Sequence, residues 1–571
     1  MPPAVVTNGH ADPGSDPDPP LQGNVSEGRW IVQKFGGTSI GKFASNIAQD
    51  IVRTTLSHHR VAVVCSARSS HSKLEGTTNR LLRAAREAQD PSCRHHETIV
   101  EAIREDHMAA AHASIKSHAI VTRLDAEVRH ECEDLLVFLE ATRVGDKMEG
   151  TTRSSTADAH VVQRVGEISS RSKDKIVAKG EKLSCRFITA LLQDRGVDAQ
   201  YVDLSDVIAL HAPQELDQAF YEALASTLAH EVLACRHRVP VITGFFGGVP
   251  GGLLEKIGRG YTDLCAALVA VGMQAEELQV WKEVDGIFTA DPRKVPTARL
   301  LTSITPAEAA ELTFYGSEVI HPFTMEQVVR ASIPIRIKNV MRPRGNGTVI
   351  FPDATPEFKS DASPLEIPLI RPRSARGLRQ QWTKRPTAVT IKHQILVINV
   401  HSNKRSLSHG FFANIFSTLD KWRLSVDLIS TSEVHVSMAL HSESALLSGG
   451  GETEEQTLNH DLRGAIGELR DYGTVDVIPG MAILSLVGKQ MKNMMGIAGR
   501  MFSTLGEHNV NIEMISQGAL LVSLPPAIAT LTPGLRLLSG ASEINISCVI
   551  EERDADRAIN ILHTDLFTLL D

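Results

Sequence analysis

The chain has 571 residues, 42% of them apolar and 22% charged, with a formal net charge of −8. That length suits about three domains, and the acidic balance argues against nucleic acid as a main partner. The seven cysteines are scattered and form no C-x-x-C pair, so neither a disulfide framework nor a zinc site is indicated, and a reducing compartment is the natural reading.

Residues 1–27 are Pro-rich and carry no Lys or Arg. Such a segment resists folding and lacks the basic region of a secretory leader or a transit peptide. It reads as a disordered tail on a cytoplasmic protein. The longest uncharged stretch, Met514 to Leu535, contains Pro525, Pro526 and Pro533, so no membrane-spanning helix is expected.

From 28 to 352, short apolar runs alternate with helical patterns. The runs are 30–35, 60–66, 239–244 and 278–281, and a helix over 159–195 is expected to break at Lys179-Gly180. Alternation of this kind predicts an α/β domain with a mainly parallel sheet between helices. Ligands on such sheets lie at the carboxyl ends of the strands. The first run ends in Lys34-Phe35-Gly36-Gly37-Thr38-Ser39. Glycines there let backbone N–H groups approach a phosphate, and the lysine adds a mobile positive charge. The spacing is not that of a P-loop.

Four more local signatures follow in order. They are Val64-Cys65-Ser66-Ala67 with Thr77-Thr78-Asn79, then Gly180-Glu181-Lys182-Leu183-Ser184, then Gly258-Arg259-Gly260-Tyr261-Thr262-Asp263, and last Trp281-Lys282-Glu283-Val284-Asp285-Gly286-Ile287-Phe288-Thr289-Ala290-Asp291-Pro292-Arg293. Taken alone, Glu181 reads as a helix salt-bridge partner, Asp291-Pro292 as a turn, and His321-Pro322 as a turn rather than a catalytic base. The pairs His58-His59 and His95-His96 read as solvated.

Residues 353–386 form a Pro-rich linker with a basic patch from Arg371 to Arg385. The remainder contains an internal repeat. Phe416-Ser417-Thr418-Leu419 recurs as Phe502-Ser503-Thr504-Leu505, and Ser425 to Ser430 matches Asn511 to Ser516 at the same offset. Ser432 to Ser437 then matches Ser542 to Ser547 at an offset larger by two dozen residues. Each copy, 387–479 and 480–571, reads as a ferredoxin-like unit. Residues 520–541 are the excess: apolar, Pro-rich and without an acidic residue. They read as a retained intron or other gene-model error, the alternative being a true loop extension.

The five signatures in this order, followed by the repeat, resemble the aspartate kinases of the amino-acid kinase family, whose C-terminal units are ACT domains. The resemblance implies an amino-acid kinase catalytic domain over 28–352 and two ACT units. It also implies ATP-dependent phosphorylation of L-aspartate, with Mg2+ held mainly through phosphate oxygens. Lys34 and Asp263 would be catalytic. Ser66, Thr78, Glu181, Arg259 and Thr262 would bind the substrate, Glu181 taking its ammonium and Arg259 its α-carboxylate. Lys34, Gly36, Gly37, Ser39, Lys282, Glu283, Phe288 and Arg293 would contact ATP. Gly410, Phe411, Phe412, Asp427, Thr431 and Ser432 would form an effector site, with core packing as the other reading of the two phenylalanines. Tyr261, Lys282-Glu283 and Glu318 depart from the bacterial pattern and look like the fungal branch. That branch implies L-threonine as inhibitor; the residues themselves do not separate it from lysine. Sheet edges in the ACT units imply a homo-oligomer. Two competitors remain open: a kinase of glutamate or acetylglutamate, and an ACT-based amino-acid sensor with an inactive kinase domain.

Overall fold

The structure is a computed structural model. It describes residues 21–25, 28–69, 75–89, 94–151, 169–208, 216–249, 252–316, 320–351, 385–402, 410–441 except 423 and 433, 460–516 except 490, 492 and 493, and 544–568. The linker 353–386 is described only at 385 and 386, and 520–541 and Glu318 lie outside the described residues. Among the described residues, no helix is long and apolar enough to cross a membrane.

Two compact units divide the chain. The first comprises Met1–Ile31, Phe35–Asp206 and His230–Gly248; the second comprises Val32–Lys34, Val207–Ala229 and Val249–Asp571. The first strand, β1 (Trp30–Phe35), therefore contributes residues to both. In the first unit, β2 (Arg60–Cys65), β3 (Ala199–Val202) and β4 (Val239–Thr243) run in the order β3-β4-β2-β1. β4 pairs in parallel with both β2 and β3. The apolar sequences of β2 and β4 are buried nearly end to end, as parallel strands covered on both faces require.

Three expectations for this unit change. Residues 21–25 are not part of a loose tail: Asn24 is buried, its side chain donates to Val61 O and accepts from Val61 N–H, and Gln22 bridges Val197. The helix Ser170–Asp194 is also continuous through Gly180. A Cβ there would lie 2.9 Å from Ala67 Cβ and 3.1 Å from Leu81 Cδ1. This glycine permits close packing instead of ending the helix. His96, read as solvated, is buried in the helix His95–Ser114.

In the second unit, β5 (Glu277–Lys282), β6 (Ser303–Ile304), β7 (Ile335–Asn339) and β8 (Thr348–Ile350) continue from β1 in the order β1-β5-β7-β8-β6. β5 and β7 are parallel, β7 and β8 antiparallel. A separate six-stranded antiparallel sheet follows. It is built from β9 (Ala388–Ser402), β10 (Leu428–Thr431), β11 (His435–His441), β12 (Gly473–Val487), β13 (Met514–Ser516) and β14 (Asn545–Glu551), in the order β10-β11-β9-β12-β14-β13.

Alternation along these strands puts Ile395, Val397, Ile483 and Val549 on one face, packed with Tyr315, and the other face supplies two further cores. Leu396, Ile398 and Val400 pack with Phe411, Ile415 and Leu419 of the helix Phe411–Lys421. Leu484, Leu486, Ile546 and Cys548 pack with Met501 and Ile559 of the helices Ile497–Glu507 and Ala555–His563. Val389 and Ile391 belong to the second core although they precede the first. β9 and β12 are each fifteen residues long, well beyond an ordinary strand, and their register shifts near Met481. Each long strand thus serves both units, and the expected boundary at 479/480 falls inside β12.

The register in the two copies is the same. Ser430 pairs with Ser437 and Leu428 with Ala439 in the first; Ser516 pairs with Ser547 and Met514 with Val549 in the second. The connection is residues 431–436 in one copy and 517–546 in the other. A fivefold longer closure costs only about 1.4 kcal/mol, so the hairpin survives it. Deleting 520–541 should leave thermal stability and kinase activity intact or improved, measured by a melting curve and a turnover assay. A variant that no longer folds would show that these residues carry structure.

Candidate active site

β1 ends at Phe35, and Gly36, in an extended conformation, precedes the helix Gly37–Asn46. Gly37 is required by proximity: a Cβ would sit 2.1 Å from Ala67 O, and the Ser69 N–H donates to Gly37 O at 2.9 Å. The first-turn N–H groups of such a helix form a ready anion site. Ser39 is buried in that turn. Ser66 follows β2 and donates its N–H to Phe35 O at 3.1 Å.

Two further helices close on the same loop. Thr77 and Thr78 open the helix Thr77–Glu87 after Gly76. Glu181, only 1% exposed, lies on the helix Ser170–Asp194 beside Gly180, which abuts Ala67 and Thr77. Ser184 Oγ accepts the Arg68 N–H at 2.8 Å and donates to Gly180 O at 2.9 Å. Gly36, Gly37, Ser39, Ser66, Thr78 and Glu181 are therefore gathered within the first unit. The residue that holds their loop was not singled out from the sequence. Arg68 is buried and reaches Asp106 at 2.5 Å, and Arg80 meets the same carboxylate at 3.0 Å. Burial lowers the Arg68 pKa and Asp106 opposes the shift. Nothing in a lone arginine thirty-eight positions from an aspartate signals that pairing.

The second unit holds the charged pair. Lys34 Nζ lies 2.6 Å from Asp263 Oδ1, with side-chain exposures of 11% and 17%. Asp263 sits in the first turn of the helix Tyr261–Gly272, where a carboxylate meets the positive end of the helix dipole. Thr262 beside it is buried. Arg259 occupies the 3-10 turn Gly258–Gly260, with Gly258 at φ +76°; its side chain lies outside the described residues. His321, read from the sequence as a simple turn, precedes the helix Pro322–Arg330. Its Cβ lies 3.5 Å from where a Cβ on Gly260 would stand, and Asp263 is close enough to raise its pKa against the desolvation that lowers it. The neighbourhood of His321 is set by chain crossing, which local sequence does not carry.

The nucleotide-like segment begins where β5 ends at Lys282, with Glu283 next. Asp285 accepts from Asn339 Nδ2 at 2.8 Å and pairs with Arg342 at 2.7 Å. Phe288 bridges Leu300. Arg293 is 88% exposed and folds back on Asp291 at 2.8 Å, an arrangement that also fixes the Asp291-Pro292 turn. The segment is tied to the antiparallel sheet. Thr289 O accepts the Val389 N–H at 2.8 Å, and Thr289 Oγ1 and Thr297 Oγ1 meet His563 at 2.8 and 3.2 Å. Lys294 reaches Asp556 at 2.6 Å.

Of the expected effector residues, Gly410 is left-handed at φ +93° and starts the helix Phe411–Lys421. Phe411 is buried in the first core and Phe412 packs against it. Thr431 ends β10, and the Ser432 N–H donates to His435 O in the hairpin turn. Asp427 is 6% exposed and paired at 2.8 Å with Lys392, whose ammonium lies 4.8 Å from the Phe314 ring. Its carboxylate is thus already engaged by a cation of β9.

Comparison with known proteins adds to this geometry. The sequence model of the Amino acid kinase family matches residues 29–339, and that of the ACT domain matches 484–524 and 536–566. The break in the second match falls within 520–541. The aspartokinase of Schizosaccharomyces pombe is 50% identical over 547 residues, covering 96% of this chain and 94% of the relative. That of Saccharomyces cerevisiae is 49% identical over 557 residues, again covering 96% and 94%. Among solved structures, Escherichia coli aspartokinase III in complex with aspartate and ADP (R-state) superposes with a TM-score of 0.63 at 26% identity, covering 94% of this chain and 99% of that one. The same enzyme in complex with lysine and aspartate (T-state) matches equally. With its five signatures on an α/β catalytic fold, an antiparallel ACT sheet behind them, and half its residues shared with fungal relatives over nearly their full length, the chain belongs to the aspartokinases of the amino acid kinase family.

Proposed function

We propose that this aspartokinase transfers the γ-phosphoryl group of ATP to the β-carboxylate of L-aspartate, giving 4-phospho-L-aspartate. The observation that carries the reading is the Lys34–Asp263 pair at 2.6 Å, with Lys34 two residues before Gly36 at the helix start. Aspartate's carboxylate is ionised at neutral pH, with a reference pKa of about 3.9. It attacks phosphorus without a general base, so the site has mainly to hold two anions together and stabilise the charge on the transferring group. Lys34 is the cation for that charge, oriented by Asp263. The N–H groups after Gly36 donate to phosphate oxygens. Ser66, Thr78 and Thr262 position the substrate, Glu181 binds its ammonium, and Arg259 grips its α-carboxylate as a planar fork. Lys282, Glu283 and Phe288 line the nucleotide; Arg293, held by Asp291, must turn away from that partner to reach it. Mg2+ would be held chiefly by phosphate oxygens with its waters retained, near Asp263, and would offset phosphate charge.

The step would open threonine and methionine biosynthesis in the cytoplasm, with threonine as feedback inhibitor acting on the ACT units. β10 and β13 end the order of this sheet among the described residues, and sheet edges suit association of two copies. A hydroxamate assay tests the reading. Aspartate should be strongly preferred over glutamate, threonine should inhibit, and light scattering should give at least a dimer. Equal rates with glutamate would remove the substrate assignment. Inhibition by lysine alone would remove the effector assignment, and a monomer in the presence of threonine would remove the assembly.

A further inference from the structure

The segment from Ile287 to Leu301 folds back on itself as a hairpin. The Leu301 N–H donates to Ile287 O at 2.8 Å, the Thr289 N–H donates to Arg299 O at 2.9 Å, and Phe288 bridges Leu300. Thr289 departs from the ordinary pairing of such a hairpin. Its carbonyl accepts the Val389 N–H of β9, and the Arg299 N–H donates to the Thr289 hydroxyl at 2.9 Å instead. That hydroxyl has one more partner, His563 Nε2 at 2.8 Å.

His563 ends the helix Ala555–His563 and has no exposed surface. Its other ring nitrogen meets Thr297 Oγ1 at 3.2 Å, on the returning arm of the hairpin. Burial and the nearby Arg299 hold the ring below the ordinary imidazole pKa, so it is neutral near pH 7. A neutral imidazole donates through one nitrogen and accepts through the other, which lets one ring satisfy a hydroxyl on each arm. The ring is itself fixed by stacking on Phe567 with centroids 4.9 Å apart, and Phe567 O accepts from the Arg299 guanidinium at 3.1 Å. Asp556 and Asn560 lie on the same face of this helix by their spacing from His563. Both reach the hairpin at Lys294, by an ion pair at 2.6 Å and by a hydrogen bond to Lys294 O at 2.9 Å. Asp556 is 67% exposed, so its ion pair contributes little. The buried imidazole is the stronger tie.

We propose that His563 is a positioning residue for the nucleotide: through Thr289 and Thr297 it fixes the hairpin that carries Phe288 and Arg293. The proposal rests on the assignment of those two residues to ATP. Ala290 and Val295 also anchor the hairpin, in the core they share with Ile559 and Leu562. Apolar burial is non-directional, however, whereas hydrogen bonds have a preferred line. The imidazole therefore sets the register of the two arms, and the core sets only their depth. His563 has no surface with which to meet a ligand, so it acts through the hairpin alone. Its effect belongs to ATP and not to aspartate, whose ammonium site at Glu181 lies in the other compact unit.

Steady-state kinetics on the full chain test this. His563→Ala should raise the KM for ATP by about tenfold, while kcat and the KM for aspartate change by less than about twofold. A glutamine amide reaches the place of Nε2 and an asparagine amide that of Nδ1. His563→Gln, which keeps the contact with Thr289, should therefore restore most of the ATP KM, and His563→Asn should not. A residue needed only for folding would lower the melting temperature and leave the KM alone. If His563→Ala does not fold, Thr289→Val and Thr297→Val decide, each removing one hydroxyl and raising the ATP KM by about threefold. An unchanged ATP KM in the folded variants, or an equal rise in the KM for aspartate, would overturn the proposal. Equal rescue by glutamine and asparagine would overturn the part assigned to Thr289. Arg293→Ala separates this outcome from the site reading beneath it. If Arg293→Ala raises the ATP KM and the His563 variants do not, this proposal alone falls; if none of them does, the assignment of the hairpin to ATP falls with it.

Discussion

Lys34→Ala should lower kcat by about a hundred- to a thousandfold, the usual loss when one preorganised group facing developing charge is removed. The KM for aspartate should move far less, because Lys34 is assigned to the phosphoryl group and not to the amino acid. The expectation rests on how the ammonium is held. It lies 2.6 Å from Asp263, and both side chains are largely shielded from water, where a charge acts more strongly than in solvent. The pair should also behave as one unit. Asp263→Ala alone should cost nearly as much as Lys34→Ala, and the double variant should cost little more than either, since residues acting together are not additive. Circular dichroism controls for folding, and single-turnover rates separate chemistry from product release. A Lys34→Ala enzyme retaining a tenth or more of its turnover would remove Lys34 from the catalytic role.

The sequence made β1, β2, β4 and β5 legible because each is a short apolar run. β2, β4 and β5 appear close to their expected bounds, and the repeated serines Ser430/Ser516 and Ser437/Ser547 occupy the same paired positions in β10–β11 and β13–β14. What it could not carry was anything decided by a neighbour distant in the chain. Gly180 looked like a helix breaker because propensity is local, whereas its environment is Ala67 and Leu81. The sharing of β9 and β12 between two cores was hidden because either half of each strand reads as a complete strand. His321 and Arg68 gain meaning only from Gly260, Asp263 and Asp106. The fastening of the 287–301 segment to the ACT sheet through His563 and Asp556 was likewise invisible, since its partners lie more than 250 residues on. That fastening ties the 287–301 segment physically to the ACT units. Val389 and Ile391 pack in one core with Ala290 and Val295, so a shift of β9 cannot leave the segment in place.

Glu181→Ala should raise the aspartate KM by roughly thirty- to a hundredfold with a smaller fall in kcat. That factor is the equivalent of about 2–3 kcal/mol for a lost hydrogen bond to a charged group. The carboxylate is 1% exposed, on a helix pressed against the Ser66 loop and the start of the Thr77–Glu87 helix. A charge so placed must serve a function or a neighbour. A purely structural Glu181 would lower the melting temperature on truncation and leave the KM alone. Glu181→Gln, which keeps the shape and removes the charge, should still show most of the KM rise. Succinate makes the assignment specific, because it has both carboxylates of aspartate and no ammonium. If Glu181 reads the ammonium, the preference of the enzyme for aspartate over succinate should shrink in Glu181→Ala by about the same factor as KM rises. Arg259→Ala should instead weaken both ligands alike, since its partner is the α-carboxylate they share, and Arg259→Lys should recover little because the two-pronged contact is lost. An unchanged aspartate-to-succinate ratio in Glu181→Ala would transfer ammonium recognition to another residue.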